Sequence, residues 1–191
     1  MVRPLLFTFT FNFTFACNAV AATRPIVLYQ FDRDTKTQII DSSGVNPPAH
    51  LEIPNNGALK RTPGALTLVR PTLLTTKAPP AKLINAVQKS GEITISAWIT
   101  PANLNQNGPA RIVTLSRGSS NRNVTLGQDA SKFDARFRTE RTGPNGIPSL
   151  SSGKVIKKLT HIVFTRSRNG LGTMFINGRQ SGQRSFAGLL K

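Results

Sequence analysis

Three groups of residues in this chain have types and spacing suited to chemistry, and none is a complete catalytic set. Trp98 is the sole tryptophan. It falls on the polar side of an alternating strand pattern, opposite Ile93, Ile95 and Ala97. From there it either stacks on a sugar ring or lies beneath a long proline-rich segment earlier in the chain. Arg136 and Arg138 share the outward side of a second alternating pattern, with Arg111, Arg117 and Arg122 in nearby strands and turns. Guanidinium forks suit bidentate recognition of carboxylate or sulfate; Asp134 and Glu140, on the same side, are their alternative partners. Asp32, Asp34 and Asp41 form the densest group of acids. Asp32 and Asp41 are the candidate ligands for a hard cation such as calcium, which needs several oxygen donors. Aspartates in turns otherwise cap their own backbone.

Other chemistries are not encoded in recognisable form. The two histidines, His50 and His161, stand far apart, and no His/Cys/Asp/Glu cluster has metal-site spacing. His161 is therefore expected to be a hydrogen-bonded structural residue in or near the core. There is no G-x-S-x-G elbow, phosphate-binding glycine loop or H-E-x-x-H helix. A glycosidase needs two carboxylates across a cleft, and no strand carries paired inward acids; Glu92 stands alone. The single cysteine, Cys17, lies in the N-terminal apolar stretch. The rest of the chain is thus expected to have no disulfide. Lys and Arg total 25 against eight acids, a formal charge of +17. Such a field favours anionic polysaccharide and other polyanions. The basic residues are scattered, with no run of five, which reads as a solvated surface and makes nucleic acid an unlikely partner.

The elements that must hold these residues are strands. Residues 159–179 (LTHIVFTRSRNGLGTMFINGR) read as two strands and two Asn-Gly turns. Asn-Gly between apolar runs is a strong hairpin signal, because both residues tolerate the positive φ of a type I′ turn. Residues 93–99, 111–116, 123–127 and 133–137 alternate or carry apolar residues on one face, and a Gly/Pro loop spans 143–153. Residues 26–31 read as a first strand, residues 46–90 as Pro-rich and irregular, and residues 81–89 within them as a short helix or a turn. Strands at intervals of roughly ten residues with turn chemistry between them predict an all-β, two-sheet antiparallel sandwich. Residues 1–22 read as a signal peptide: Arg3, an uncharged apolar stretch, and Ala19-Val20-Ala21 before the cut. The alternation FTFTFNFTF within them is also strand-like. The domain is then residues 23–191, secreted, periplasmic or on the cell surface, with no transmembrane segment.

In order along the chain, residues 91–101 (GEITISAWITP), 108–116 (GPARIVTLS), 122–128 (RNVTLGQ), 137–139 (FRT), 159–165 (LTHIVFT) and 174–178 (MFING) resemble the laminin-G-like domains of the concanavalin A-like lectin/glucanase superfamily. Residues 27–32 (VLYQFD) and 41–44 (DSSG) look like that family's first strand and its turn. The resemblance implies a jelly-roll sandwich and a secreted, non-catalytic module that binds a glycan or an extracellular protein, in some members with calcium. The E-x-D-x-x-E of the superfamily's glucanases is missing. A divergent glycan-active enzyme and a charge-driven polyanion binder remain the alternatives. Family domains usually continue past the MFING hairpin, whereas this sequence ends at Lys191. The expectation is a domain lacking its last strands, with an exposed apolar sheet edge.

Overall fold

The structure, a computed structural model, describes residues 24–190. The expected signal peptide and Cys17 lie outside the described residues. Two four-stranded antiparallel sheets dominate. One has the order β10 (Leu150–Lys154), β9 (Lys132–Phe137), β8 (Arg122–Asp129), β7 (Ala110–Ser116). The other has the order β13 (Arg179–Ser185), β12 (Leu171–Ile176), β11 (Thr160–Arg166), β6 (Ile93–Ile99). Alternation explains the pairing. Ile93 and Ile95 of β6, Val124 and Leu126 of β8, Phe133, Ala135 and Phe137 of β9, and Ile162 and Phe164 of β11 all point into one core. Phe133, Phe164 and Phe186 are fully buried, and each large apolar side chain removed from water contributes about 1.5–3 kcal/mol. Phe164 and Phe186 meet edge to face, centroids 5.9 Å apart.

Buried within this sandwich, at the end of β11, is a cation. The Arg166 guanidinium donates to the carbonyls of Gly91, Phe186 and Gly188 and lies over the Phe137 ring, 5.0 Å from its centroid. Burial pulls its pKa down from the ordinary arginine value.

The two sheets meet along one side, where β10 and β13 touch. Ser152 Oγ is 2.6 Å from the Ser181 carbonyl and 2.9 Å from Ser181 Oγ. Gly153 makes the approach possible: its φ is +70°, and a Cβ there would stand 1.9 Å from Ile176 Cδ1. This seam corrects two expectations. The stretch read as a loop over 143–153 contains a strand, β10. The edge after the meander is not apolar: β13 reads RQSGQRS, and the apolar Phe186 that follows turns into the core.

The meander forms as expected, with one difference. Asn177 (φ +50°) and Gly178 (φ +78°) make the type I′ turn. Asn169 does not adopt positive φ; only Gly170 does, at +86°. Gly170 N–H donates to the Ser167 carbonyl, and Asn169 Oδ1 accepts from Ser167 Oγ and Leu171 N–H. That is a type I turn closed by a left-handed glycine.

Residues before the sandwich build a second, smaller unit. β1 (Gln38–Ile39), β2 (Leu51–Glu52) and β5 (Thr75–Thr76) form a sheet, and β3 (Leu59–Thr62) and β4 (Ala65–Leu68) a hairpin. Ile39, Ile53 and Leu59 form its core, with Tyr29, Phe31, Leu51, Leu66 and Leu74 against it. Residues 26–31 are not a strand: a single bridge, Tyr29 to Asp41, replaces it. The Pro-rich segment is correspondingly more ordered than expected, and residues 81–89 are helical, in α1 (Ala81–Ser90), stopped by the left-handed Gly91.

Asp41 ties this unit to α1. Its Oδ2 is 2.5 Å from Lys82 Nζ, with both side chains shut from solvent. Its oxygens also accept from the backbone N–H groups of Leu28, Ser43 and Ala49. Burial alone would raise the Asp41 carboxyl; the bonds from Lys82, Ala49, Leu28 and Ser43 outweigh it and hold the group well below the usual carboxylate range. A depressed folded pKa stabilises above the unfolded value of about 3.9 and is lost as pH falls toward the folded one. Stability from this pair should be constant between about pH 7 and 5 and decline below about pH 4. Lys82→Met should cost about 3–5 kcal/mol, because it strands a buried carboxylate. Urea denaturation followed across pH checks both, and Asp41→Asn should remove this group's contribution to the acid limb.

Candidate functional site

The outer face of the β6–β11 pair carries an exposed aromatic stack. Register sets it: His161 pairs with Trp98, and Val163 with Ser96. Because Ile93, Ile95, Ile162 and Phe164 point inward, their neighbours Trp98, Ser96 and His161 point out. The indole and imidazole rings lie parallel, centroids 4.4 Å apart and 9° between planes. Trp98 is nevertheless 66% exposed. His161 Nε2 is 2.8 Å from Ser96 Oγ, which fixes the ring. Asn177, from the type I′ turn, fixes the backbone: its Oδ1 accepts from His161 N–H, and its own N–H donates to the His161 carbonyl. The platform is thus a flat, rigid pair of rings with a polar rim.

Two expectations are corrected here. The Pro-rich segment does not cover Trp98, because residues 46–76 close on a small core of their own. His161 is not in the sandwich core; it is half-exposed on the outer face, and its role is to back the indole. Parity along β11, where Thr160, Ile162 and Phe164 are the buried positions, was the signal that placed it outward.

On the other sheet, Asp134 and Arg136 do point away from the core, but they are not solvated. Arg136 Nε donates to Asp134 Oδ2 at 2.9 Å, and its Nη2 lies 3.5 Å from Asp129 Oδ2. Ser149 Oγ donates to Asp134 Oδ1 at 2.6 Å. The cover is the loop 143–149: Gly146 packs so closely on β9 that a Cβ would stand 2.8 Å from the Phe137 nitrogen. Arg136 is therefore corrected from an exposed ligand-binding residue to the internal partner of Asp134. Arg138 is half-buried and has no ion pair among the described residues.

Arg111 and Arg122 come together on this face. Arg111 Nη2 reaches the Gly118 carbonyl at 3.4 Å and Arg122 Nε the Ser119 carbonyl at 2.9 Å. Arg122, expected only as a nearby member of the arginine group, reaches the outer face through the register shift between Leu115 and Ser116, which pairs Ser116 with Arg122. Burial, then the neighbouring Arg136 and Arg111, lower its pKa from the ordinary arginine value, against the pull of Asp134.

Asp32 and Asp41 do not come together as cation ligands. Asp41 spends its oxygens on Lys82 and three backbone donors, and Asp32 is an exposed residue 4.0 Å from Arg33. These positions do not fit calcium, and no group of three or more His, Cys, Asp or Glu among the described residues has metal-site geometry. Glu92 is exposed and accepts a long hydrogen bond from Arg168 N–H, 3.3 Å.

The two four-stranded antiparallel sheets, packed face to face, have the architecture of a concanavalin A-like sandwich. The sequence profile of the concanavalin A-like lectin/glucanases superfamily, of laminin-G type, matches residues 76–191. The chain belongs to that superfamily, and its matched region begins at β5, leaving most of the small N-terminal unit outside. No curated protein and no solved structure matches the chain. Domains of this kind commonly act outside cells as carbohydrate- or protein-binding modules. No helix among the described residues is long and apolar enough to cross a membrane.

The two arginines once grouped together should now behave differently. Arg136→Ala strands buried Asp134 and should cost about 3–5 kcal/mol. Arg138→Ala should stay within about 0.5 kcal/mol of the parent. Denaturant midpoints measure both. Trp98 should be quenched by acrylamide nearly as readily as free indole; a shielded emission would contradict its exposure.

Proposed function

We propose that the chain is a secreted, non-catalytic module that binds a glycan on the outer face of β6 and β11. The observation that carries this reading is the exposed Trp98 ring, backed by His161 and oriented by Ser96. Amphipathic aromatic faces bury large area at little entropic cost and keep one side for polar contacts. A pyranose ring offers the matching surface: an apolar face of C–H groups edged with hydroxyls, for which Ser96 and the imidazole supply hydrogen-bond partners. The non-catalytic part rests on the acids: Asp134 is committed to Arg136 and Ser149, Asp129 shares that same guanidinium, and Glu92 stands apart from them, just before β6 and bonded to Arg168 N–H. Secretion rests on the N-terminal sequence pattern and the family's usual location.

A second reading, a charge-driven polyanion binder, has the net charge of +17 in its favour. Salt separates the two, because counterion release makes a charge-driven affinity fall steeply with ionic strength.

The test uses the protein's only tryptophan as reporter. Neutral and acidic polysaccharides are titrated while Trp98 emission is recorded. A saturable change with at least one neutral glycan, weakened about tenfold or more by His161→Ala and little changed between 50 and 300 mM salt, is the expected result. Binding retained in full by Trp98→Ala, measured by calorimetry, would remove the platform; release of reducing ends would remove the non-catalytic reading.

A further inference from the structure

We propose a second ligand site on the opposite sheet: Arg111 and Arg122 form a receptor for one oxyanion group, carboxylate or sulfate, of an acidic polysaccharide. The two guanidinium groups rest on successive carbonyls of the 117–121 loop, Gly118 and Ser119, so their heads are neighbours. Among the described residues no carboxylate forms an ion pair with either. The two acids of this face, Asp129 and Asp134, are both drawn to Arg136. The positive charges of Arg111 and Arg122 are thus both left without a contacting carboxylate among the described residues.

A further observation points to a missing acceptor. Arg122 Nη1 is closed off from solvent and has no hydrogen-bond partner among the described residues. A buried donor left unmade costs about 1–3 kcal/mol, more when charged. Arg122 as a residue is only half-buried, and the 117–121 loop above it is exposed, so a ligand can approach from the loop side. Paired guanidinium groups with free N–H donors match planar carboxylate or tetrahedral sulfate geometry. Nucleic acid fits less well: single strands need aromatic faces beside the basic groove, and the exposed aromatic platform lies on the other sheet.

Only the polysaccharide source of the anion rests on the glycan reading above. The site itself does not, since the outer faces of packed sheets look in opposite directions. Trp98→Ala therefore serves as the control that separates failure of one proposal from failure of the other.

The experiment follows arginine Nε–Hε signals by ¹⁵N NMR at constant ionic strength, replacing chloride with sodium sulfate or sodium galacturonate. The expected result is a saturable shift confined to Arg111 and Arg122, retained in Trp98→Ala. Arg122→Met should weaken binding about tenfold or more, and so should Arg122→Lys, which keeps the charge but loses the fork. A preference for galacturonate identifies a carboxylate ligand and a preference for sulfate a sulfated one; polygalacturonate or dextran sulfate should then bind more tightly than its monomer. A linear shift shared by all arginines, full affinity in Arg122→Lys, or tighter binding of single-stranded DNA than of either polymer would overturn the proposal.

Discussion

One buried cation, Arg166, joins the start of β6, the end of β11 and the exit from β13. It stands at the end of β11, which is flanked by β12 and β6 in its sheet. From there it reaches the carbonyl of Gly91, where the helix ends and β6 begins, and those of Phe186 and Gly188, where the chain leaves β13. Without such a donor, the buried Phe186 carbonyl would lose its partner, at a cost comparable to a lost hydrogen bond, and the half-buried carbonyls of Gly91 and Gly188 would lose theirs. The Phe137 ring below supplies a π face in place of a carboxylate. The guanidinium thus spans both sheets, and the entry to β6, the face that carries Trp98, is fixed by the same group that seats Phe186.

The two outer faces then divide the surface chemistry. One presents rings, held by Ser96 and by the Asn177 turn. The other presents guanidinium groups, that of Arg136 neutralised internally by Asp134 and those of Arg111 and Arg122 without an ion pair among the described residues. The same pleat generates both: residues pointing inward build a common core, and their alternates face outward on opposite sides. Binding chemistry can therefore differ between faces without disturbing Phe133, Phe164 or Phe186.

Period-two alternation made β6, β8, β9 and β11 legible, together with the side on which Trp98, Arg136 and His161 lie. What alternation does not carry is cover. Arg136 points outward as expected, yet the loop 143–149 folds back over it, a contact set by Gly146 rather than by anything in β9. Trp98 is uncovered for the converse reason: the prolines upstream bracket Ile53 and Leu59, which had their own core to join. β10 (LSSGK) and β13 (RQSGQRS) have almost no apolar residues, and their pairing depends on neighbours distant in sequence. The Arg111–Arg122 pairing needs a register shift, which no propensity announces.

The seam at Ser152 and Ser181 has a mechanical consequence. β10 and β13 bind the sheets along one side, whereas among the described residues no strand pairs with the outer edge of β6 or β7. The sandwich is bound like a book, with a spine and a free fore-edge. A load that draws the two sheets apart meets side-chain packing at the β6–β7 side, and hydrogen bonds at the spine and at a second junction, where Thr139 and Glu140 after β9 bond to Ala187 and Leu189 after β13. In a module anchored at one face and pulled by a polymer at the other, the hydrogen bonds that resist separation are concentrated at these two junctions, not spread along the sheets.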